Sequence, residues 1–530
     1  MPHPLQIFVD DYTRQIEPLL LARNTAFWAF STQGDEAAQA EYARLNTVIR
    51  QLHADADRFA TLKALSANPT GDPLLDRQAE LMRHSFQSQQ IPHDLIEQIV
   101  KVETDIEAQF NAFRAEFNGQ IVTDNDLKVV LRDSNDSAER QAAWTATKQI
   151  GAQVVERVLH AVALRNQAAQ SMGFANYYSM SLELQELDEA QLFGVFDRLE
   201  TLTRPLFAAY KADLDRQLAD RFGVAIDHLR PWHYADPFFQ EVPSDPTLNL
   251  DRYFEQHDVV DLTRQFYQAI GLPIDDILAR SDLYERPGKY QHAYCQDMDR
   301  NGDTRVVCNV KPDSYWMATM LHEYGHAVYD KYHDAALPFL LREPAHTLST
   351  EAIAMLMGRL SGNGDWLHQY AGVAQAEVAN VAPHLRRQQQ ATLLIFTRWA
   401  LTVCNFEREL YRNPHQDLNT LWWNLVEKFQ LVTRPADRNA PDWAAKIHIA
   451  CYPAYYQNYM LGEMTASQLL EFITTRVLNG DAARFINSPK VGEFLRDKYF
   501  ALGSRFTWNG VLRAATGEEL KPEYFAKHLS

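Results

Sequence analysis

Four residues in this chain have the types and spacing for metal chemistry. In MLHEYGHAVYDKY (Met320–Tyr332), His322 and His326 stand four residues apart with Glu323 beside the first. On an α-helix, residues four apart are separated by one turn and about 40°, so both imidazoles leave the same face. Two imidazoles so placed can share one zinc ion, and the neighbouring carboxylate can take a proton from water that the ion has acidified. Two exposed histidines on a helix would need no metal. A third donor tells against that plainer reading. Hydrolytic zinc uses three protein ligands and keeps one position open for water. LREPAHTLSTEAIAMLMGRL offers Glu351 on a second amphipathic stretch, 25 residues after His326. That interval accommodates a connector and a helix folded back antiparallel.

The elements that must position these residues are legible. Met317, Met320, Leu321, Tyr324 and Val328 recur at helical spacing and predict a helix from Tyr315 to about Asp330, with Asp313 or Ser314 as its N-cap. Ser349 or Thr350 is the expected cap of the second helix, with Gly362 beyond its end. Upstream, GKYQHAYCQDMDRNGDTRVVCNV alternates as strands do around Asn301-Gly302, which predicts a β-hairpin. In that register Cys295 would face Cys308 across the ladder, able to bridge under oxidation and expected as a pair of reduced thiols in a cytoplasm. The same stretch mimics half a calcium loop through Asp297, Asp299, Asn301 and Gly302. Cys308 occupies the position of the bidentate glutamate and the flanking helices are missing, so calcium is set aside.

Most of the remaining chain carries the three-and-four apolar spacing of helices, notably residues 40–65, 138–172 and 188–222. The longest loop-like region is RPWHYADPFFQEVPSDPTLNL. There is no internal repeat and no Gly/Ser- or Pro-rich linker. With 51 basic against 69 acidic residues, a net charge of −18 argues against a nucleic-acid partner, because phosphate binding needs a concentrated basic surface. The most apolar run is interrupted by Arg398, so no membrane span is expected. The first residues lack a basic segment followed by an apolar core, and the four cysteines form no Cys-x-x-Cys pair. A cytoplasmic protein, monomeric or weakly dimeric, is the expectation.

Six stretches then follow one another in a family's order and near its spacing: AWTATKQIGAQVVERVLHAVALRNQAAQSMGF, YQHAYC, TRVVCNVKPDSYWMATMLHEYGHAVYDKY, LLREPAHTLSTEA, LWWNLVEKFQ and AAKIHIACYPAYYQNY. The chain resembles the angiotensin-converting-enzyme family over most of its length and, more loosely, the oligopeptidases of the neurolysin and thimet type. The resemblance implies a mainly α, ellipsoidal metallopeptidase of two interleaved helical lobes over residues 1–530. A deep central channel and a small hairpin beside the zinc helix belong to that picture, with the zinc-binding core at about 285–465. It implies one zinc ion per chain on His322, His326 and Glu351, with Glu323 as general base. His292 and Ala293 match the strand that pairs with an extended substrate, Lys446 the lysine that binds the terminal carboxylate, and His448 a histidine that hydrogen-bonds substrate. Tyr456 would assist at the carboxylate and Tyr459 at the tetrahedral oxyanion; Tyr452 and Tyr455 crowd the same stretch and are alternatives.

Departures from the family pattern are specific. The interval from His448 to Tyr459 is one residue longer than in the converting enzymes and one shorter than in the thimet type. Asn458 stands where an arginine binds chloride, which counts against chloride activation. Met355 replaces an aspartate that orients an imidazole, so another group must do so. Gln291 replaces a cysteine, which removes a local disulfide. The implied activity is release of dipeptides from the C-termini of short peptides. An oligoendopeptidase, a single-residue carboxypeptidase and a metal-free peptide-binding protein are the alternatives.

Overall fold

The computed structural model describes residues 2–243 and 249–529. Helices dominate, and the described strands form two small antiparallel hairpins, β1 (Ala115–Phe117) with β2 (Gln120–Val122) and β3 (Tyr294–Asp297) with β4 (Thr304–Val307). No helix among the described residues is long and apolar enough to cross a membrane.

The chain divides into two compact units. The first comprises Met1–Gln90, Leu248–Leu385 and Leu461–Phe525; the second comprises Ile91–Thr247, Arg386–Met460 and Ala526–Ser530. Within the first, the helix Pro4–Gln33 buries Leu5, Val9, Tyr12 and Ile16, a stripe at three-and-four spacing, against Ile49, Leu62, Leu75, Met82 and Phe86. Within the second, the helix Glu189–Phe222 starts on the Asp188 carboxylate and stops at Gly223, whose φ of 63° suits the left-handed cap.

Two of the expected long helices are broken. Residues 40–65 are interrupted at Asp55, which ends Glu36–Ala54 and caps Ala56–Leu65 by accepting the Arg58 amide. The second breaks at Lys148, between Ser137–Thr147 and Gln149–Ser171. Apolar periodicity continues across such a break, because an extended or bent residue can restart a helix with its apolar face on the same core. In the loop-like region Pro231–His233 forms a 3₁₀ turn, while 244–248 lie outside the described residues.

The histidine helix runs from Ser314 to Lys331 with the Asp313 carboxylate capping the Trp316 amide. The glutamate helix runs from Thr347 to Gly358 and is capped by His346, whose Nδ1 accepts the Leu348 amide. Ser349 and Thr350 therefore sit inside its first turn, not at its cap, and Gly362 ends a 3₁₀ extension. Glycine at 325 is what lets these helices meet. A Cβ there would lie 2.9 Å from the Ala354 Cα, and one on Gly358 would lie 3.3 Å from the His322 Cβ. Contacts that pair 325 with 354 and 322 with 358 make the helices antiparallel.

The predicted hairpin exists, but its register differs. Tyr294 opposes Val307 and Cys295 opposes Val306, so Cys295 does not face Cys308; all four cysteines are free. Asn301-Gly302 is not a two-residue turn. Asp297 caps the amides of Asp299 and Arg300, Asp299 caps those of Asn301 and Asp303, and positive φ falls on Arg300 and Gly302. Carboxylates closing Asx turns held the loop open by two further residues. The acidic residues that imitated a calcium loop are spent on backbone amides.

Candidate metal centre and peptide-binding residues

The histidine and glutamate helices bring three donor atoms together. His322 Nε2 and His326 Nε2 are 3.3 Å apart, and Glu351 Oε2 lies 3.8 Å and 3.9 Å from them. Ligands about 2.0–2.2 Å from one tetrahedral ion stand about 3.3–3.6 Å from one another, so small side-chain rotations would close this set on zinc. Among the described residues this is the one group of three or more His, Cys, Asp and Glu side chains that could hold a metal ion. His326 is fixed from behind: its Nδ1 lies 2.7 Å from the Thr350 hydroxyl, which leaves Nε2 to face the other donors. Thr350 thus orients the His326 ring, while Met355 lines a neighbouring cavity.

The electrostatics of the set suit a cation. Burial lowers His322 to about 4 and His326 to about 3, the latter also through the charge of His322, so both rings are neutral and present lone pairs at pH 7. Burial raises Glu351 to about 7 and Glu323 to about 8, the latter also through Glu351. Burial thus leaves both imidazoles neutral, as metal ligands must be, and a divalent cation would bring the two raised carboxyl groups back down.

Glu323 is positioned by the hairpin. Its carboxylate accepts the backbone amide of Cys295. That amide points outward for a reason of register. Asp282 hydrogen-bonds Val306 O and the Cys308 amide on the far side of β4, so Arg305 and Val307 turn their backbone groups toward β3. Gln296 and Tyr294 answer them, and Cys295 and Asp297 face away from the ladder. The Asn24 amide accordingly reaches Asp297 O at 3.0 Å. His292 and Ala293 precede β3 instead of lying within it, which amends the expectation of a strand there. Ala293, His322 and Glu323 line two cavities of the first unit, of about 620 and 540 Å³. The second also holds His292 and a half-buried ion pair, Arg359 with Glu463.

The remaining expected residues belong to the second unit. Lys446 is half-buried, with Nζ donating to Gln240 Oε1 at 2.7 Å and lying 5.3 Å from the centre of the Trp399 ring. Burial lowers its pKa to about 8, against the pull of Asp236 and Glu241. The Tyr456 ring is 5.2 Å from that of His448 and 5.8 Å from that of Tyr459, and Lys446 Nζ is 6.0 Å from the Tyr456 centroid. Lys446, His448, Tyr456 and Tyr459 thus form one aromatic-lined cluster. Tyr455 stacks edge-on to Tyr459 at 5.1 Å and stays close to it. Tyr452 is exposed, its hydroxyl donates to Glu107 at 2.9 Å, and its ring lies 6.0 Å from that of His448. Asn458, buried, donates to Gln185 at 2.9 Å.

Two residues of the site escaped the sequence reading. Gln240 lies in a loop far from Lys446 in sequence, held by the buried Asp236 carboxylate, which accepts the amides of Phe238, Gln240 and Glu241. An Asp-Pro turn was visible there; its partner was not. Thr350 was legible only as a cap.

Comparison with known proteins was consistent along the chain. The family model of angiotensin-converting enzyme, Peptidase_M2, matches residues 3–525. The chain is 23% identical over 442 residues to the Caenorhabditis elegans protein called "Inactive angiotensin-converting enzyme-related protein", covering 74% of this chain and 48% of that one. It is 22% identical over 435 residues to angiotensin-converting enzyme of Rattus norvegicus, covering 75% of this chain and 32% of the relative. The chain therefore spans about half or less of the length of these relatives. A model that fits 3–525, on a mainly helical chain that brings His322, His326 and Glu351 together, identifies the chain as a member of the angiotensin-converting-enzyme family of metallopeptidases.

Proposed function

We propose that this protein is a zinc-dependent peptidase that releases dipeptides from the free C-termini of short peptides. One observation carries the reading: two imidazole nitrogens and one carboxylate oxygen converge within 3.9 Å, beside a glutamate tethered to the Cys295 amide. A relative whose name calls it inactive leaves activity to be argued from residues, and here all three donors and the base are present.

His322, His326 and Glu351 would hold the ion, which supplies a Lewis acid for the scissile carbonyl and lowers the pKa of water toward about 7. Glu323 takes the proton of the attacking water and returns it to the leaving amine. His292 and Ala293, which line a cavity with His322 and Glu323, would pair with the backbone of an extended substrate. The order of the family's stretches supports Tyr459 as donor to the oxyanion and His448 as donor to the substrate backbone. Tyr459→Phe should then lower kcat about 10²–10³-fold with little change in KM. The same signature in Tyr455→Phe, with Tyr459→Phe near wild type, would move the role to the neighbouring ring.

Specificity for a free terminus rests on Lys446, Gln240 and Tyr456. A half-buried ammonium meeting a carboxylate is worth roughly 2–4 kcal/mol, or about 30- to 1,000-fold in kcat/KM. Lys446→Ala should remove that much preference for free over amidated C-termini. The pH dependence has a definite sign. Lys446 carries its charge below about 8 in the free protein, so kcat/KM on free C-termini should fall as pH rises through that value. Amidated peptides should show no such limb.

Mass spectrometry of digests of one peptide with free and amidated C-termini tests the whole reading. Dipeptides released stepwise from the free form support it. Internal fragments at equal rates from both forms indicate an oligoendopeptidase, and single residues a carboxypeptidase. Peptide binding without turnover or bound zinc would leave a metal-free binding protein.

A further inference from the structure

The cavity that holds Lys446 and Gln240 continues past them. It measures about 510 Å³, lies wholly within the second unit, and is bordered also by Arg114, Lys128, Asp124 and Phe113. Its charge runs against that of the chain, which has 51 basic to 69 acidic residues. Three cations, Lys446, Arg114 and Lys128, line it against one carboxylate, Asp124. The Lys128 ammonium is already held by that carboxylate at 2.7 Å, on an exposed surface. Lys446 is held by the neutral Gln240 amide. Asp236 and Glu241 lie near enough to act on Lys446, but they do not border the cavity, and Asp236 is spent on three amides.

Arg114 differs from both. Its Nη1 donates to the carbonyls of Asn111 and Phe113, at 3.1 and 2.7 Å, which anchors the guanidinium at the end of the helix His93–Ala112. Its Nε and Nη2 make no hydrogen bond among the described residues. That edge is the fork that receives a carboxylate through two parallel N–H···O bonds. An anchored guanidinium also loses less side-chain freedom on binding than a mobile lysine.

We infer that this cavity selects peptides whose last residue is aspartate or glutamate, with Arg114 receiving the side-chain carboxylate while Lys446 and Gln240 receive the terminal one. The inference rests on the proposed role of Lys446 as the anchor of a free C-terminus. It adds a second anionic group and a residue that reads it. Arg114 is exposed, so its contribution is that of a partly solvated pair: about tenfold in kcat/KM, with the larger part in KM.

The test compares matched peptides ending in Glu, Gln and Lys at constant ionic strength. The expected order is Glu over Gln by about tenfold and Gln over Lys. Arg114→Gln should bring the Glu/Gln ratio to about one, whereas Lys128→Gln should keep most of it. A wild-type ratio at or below one overturns the inference. So does a ratio that survives Arg114→Gln or collapses only in Lys128→Gln. Calorimetric binding of the dipeptides Ala-Glu and Ala-Gln runs the same comparison without turnover. Tighter binding of Ala-Glu, lost in Arg114→Gln, upholds the site even if hydrolysis fails. Turnover with equal binding of both dipeptides sinks the site and leaves the peptidase reading intact.

Discussion

Glu323→Gln is expected to fold and to bind zinc like the wild type, yet to lose about 10²–10⁴-fold in kcat, toward the upper end because one carboxyl serves as both base and acid. The substitution is nearly isosteric. Its side-chain oxygen can still accept the Cys295 amide, so the link between hairpin and histidine helix survives. It also removes a buried group whose ionised form Glu351 already disfavours, so the fold should not suffer. What disappears is only the capacity to move a proton. Turnover near the wild-type rate, in protein shown by metal analysis to be loaded, would rule out Glu323 as the base.

Glu351→Ala should have the opposite signature, a loss of metal before a loss of rate. The Glu351 oxygen is the one donor in the set that brings formal negative charge, and it stands 3.8–3.9 Å from both imidazole nitrogens. Removing it leaves two neutral rings on one helix and an open side facing solvent. The loss of zinc affinity should exceed the about 10–100-fold typical when only a supporting hydrogen bond is removed. Dialysis against a chelator buffer followed by metal analysis reads this directly: about one zinc per chain in the wild type, far less in the variant. Added zinc should raise the Tm of the wild type and leave that of Glu351→Ala nearly unchanged. Full zinc retention in the variant would mean that another oxygen is the third ligand.

These predictions rest on features of unequal legibility. His322, Glu323, His326 and Glu351 could be read from spacing, because helix geometry is fixed at short range: four residues is always one turn. The same local logic located the hairpin, the histidine and glutamate helices and the Asp313 cap. It failed where two local rules competed. Apolar periodicity ran through Asp55 and Lys148, although the first caps a new helix there and the chain turns at both. Asn301-Gly302 signalled a tight turn, but the Asp297 and Asp299 carboxylates accept four backbone amides and set a longer loop, which moved Cys295 away from Cys308.

The sequence by itself determined the groups available: two imidazoles and two carboxylates on two helices, a lysine and tyrosines downstream, and an acidic chain. Tertiary structure alone decided which atoms support them. Thr350 orients His326, the Cys295 amide holds Glu323, Gln240 meets Lys446, and Arg114 borders the same cavity as Lys446. The reason is physical. Spacing along a helix or strand constrains only neighbours a few residues apart, whereas each of these pairs joins separate elements, and only the packing of those elements brings the partners together.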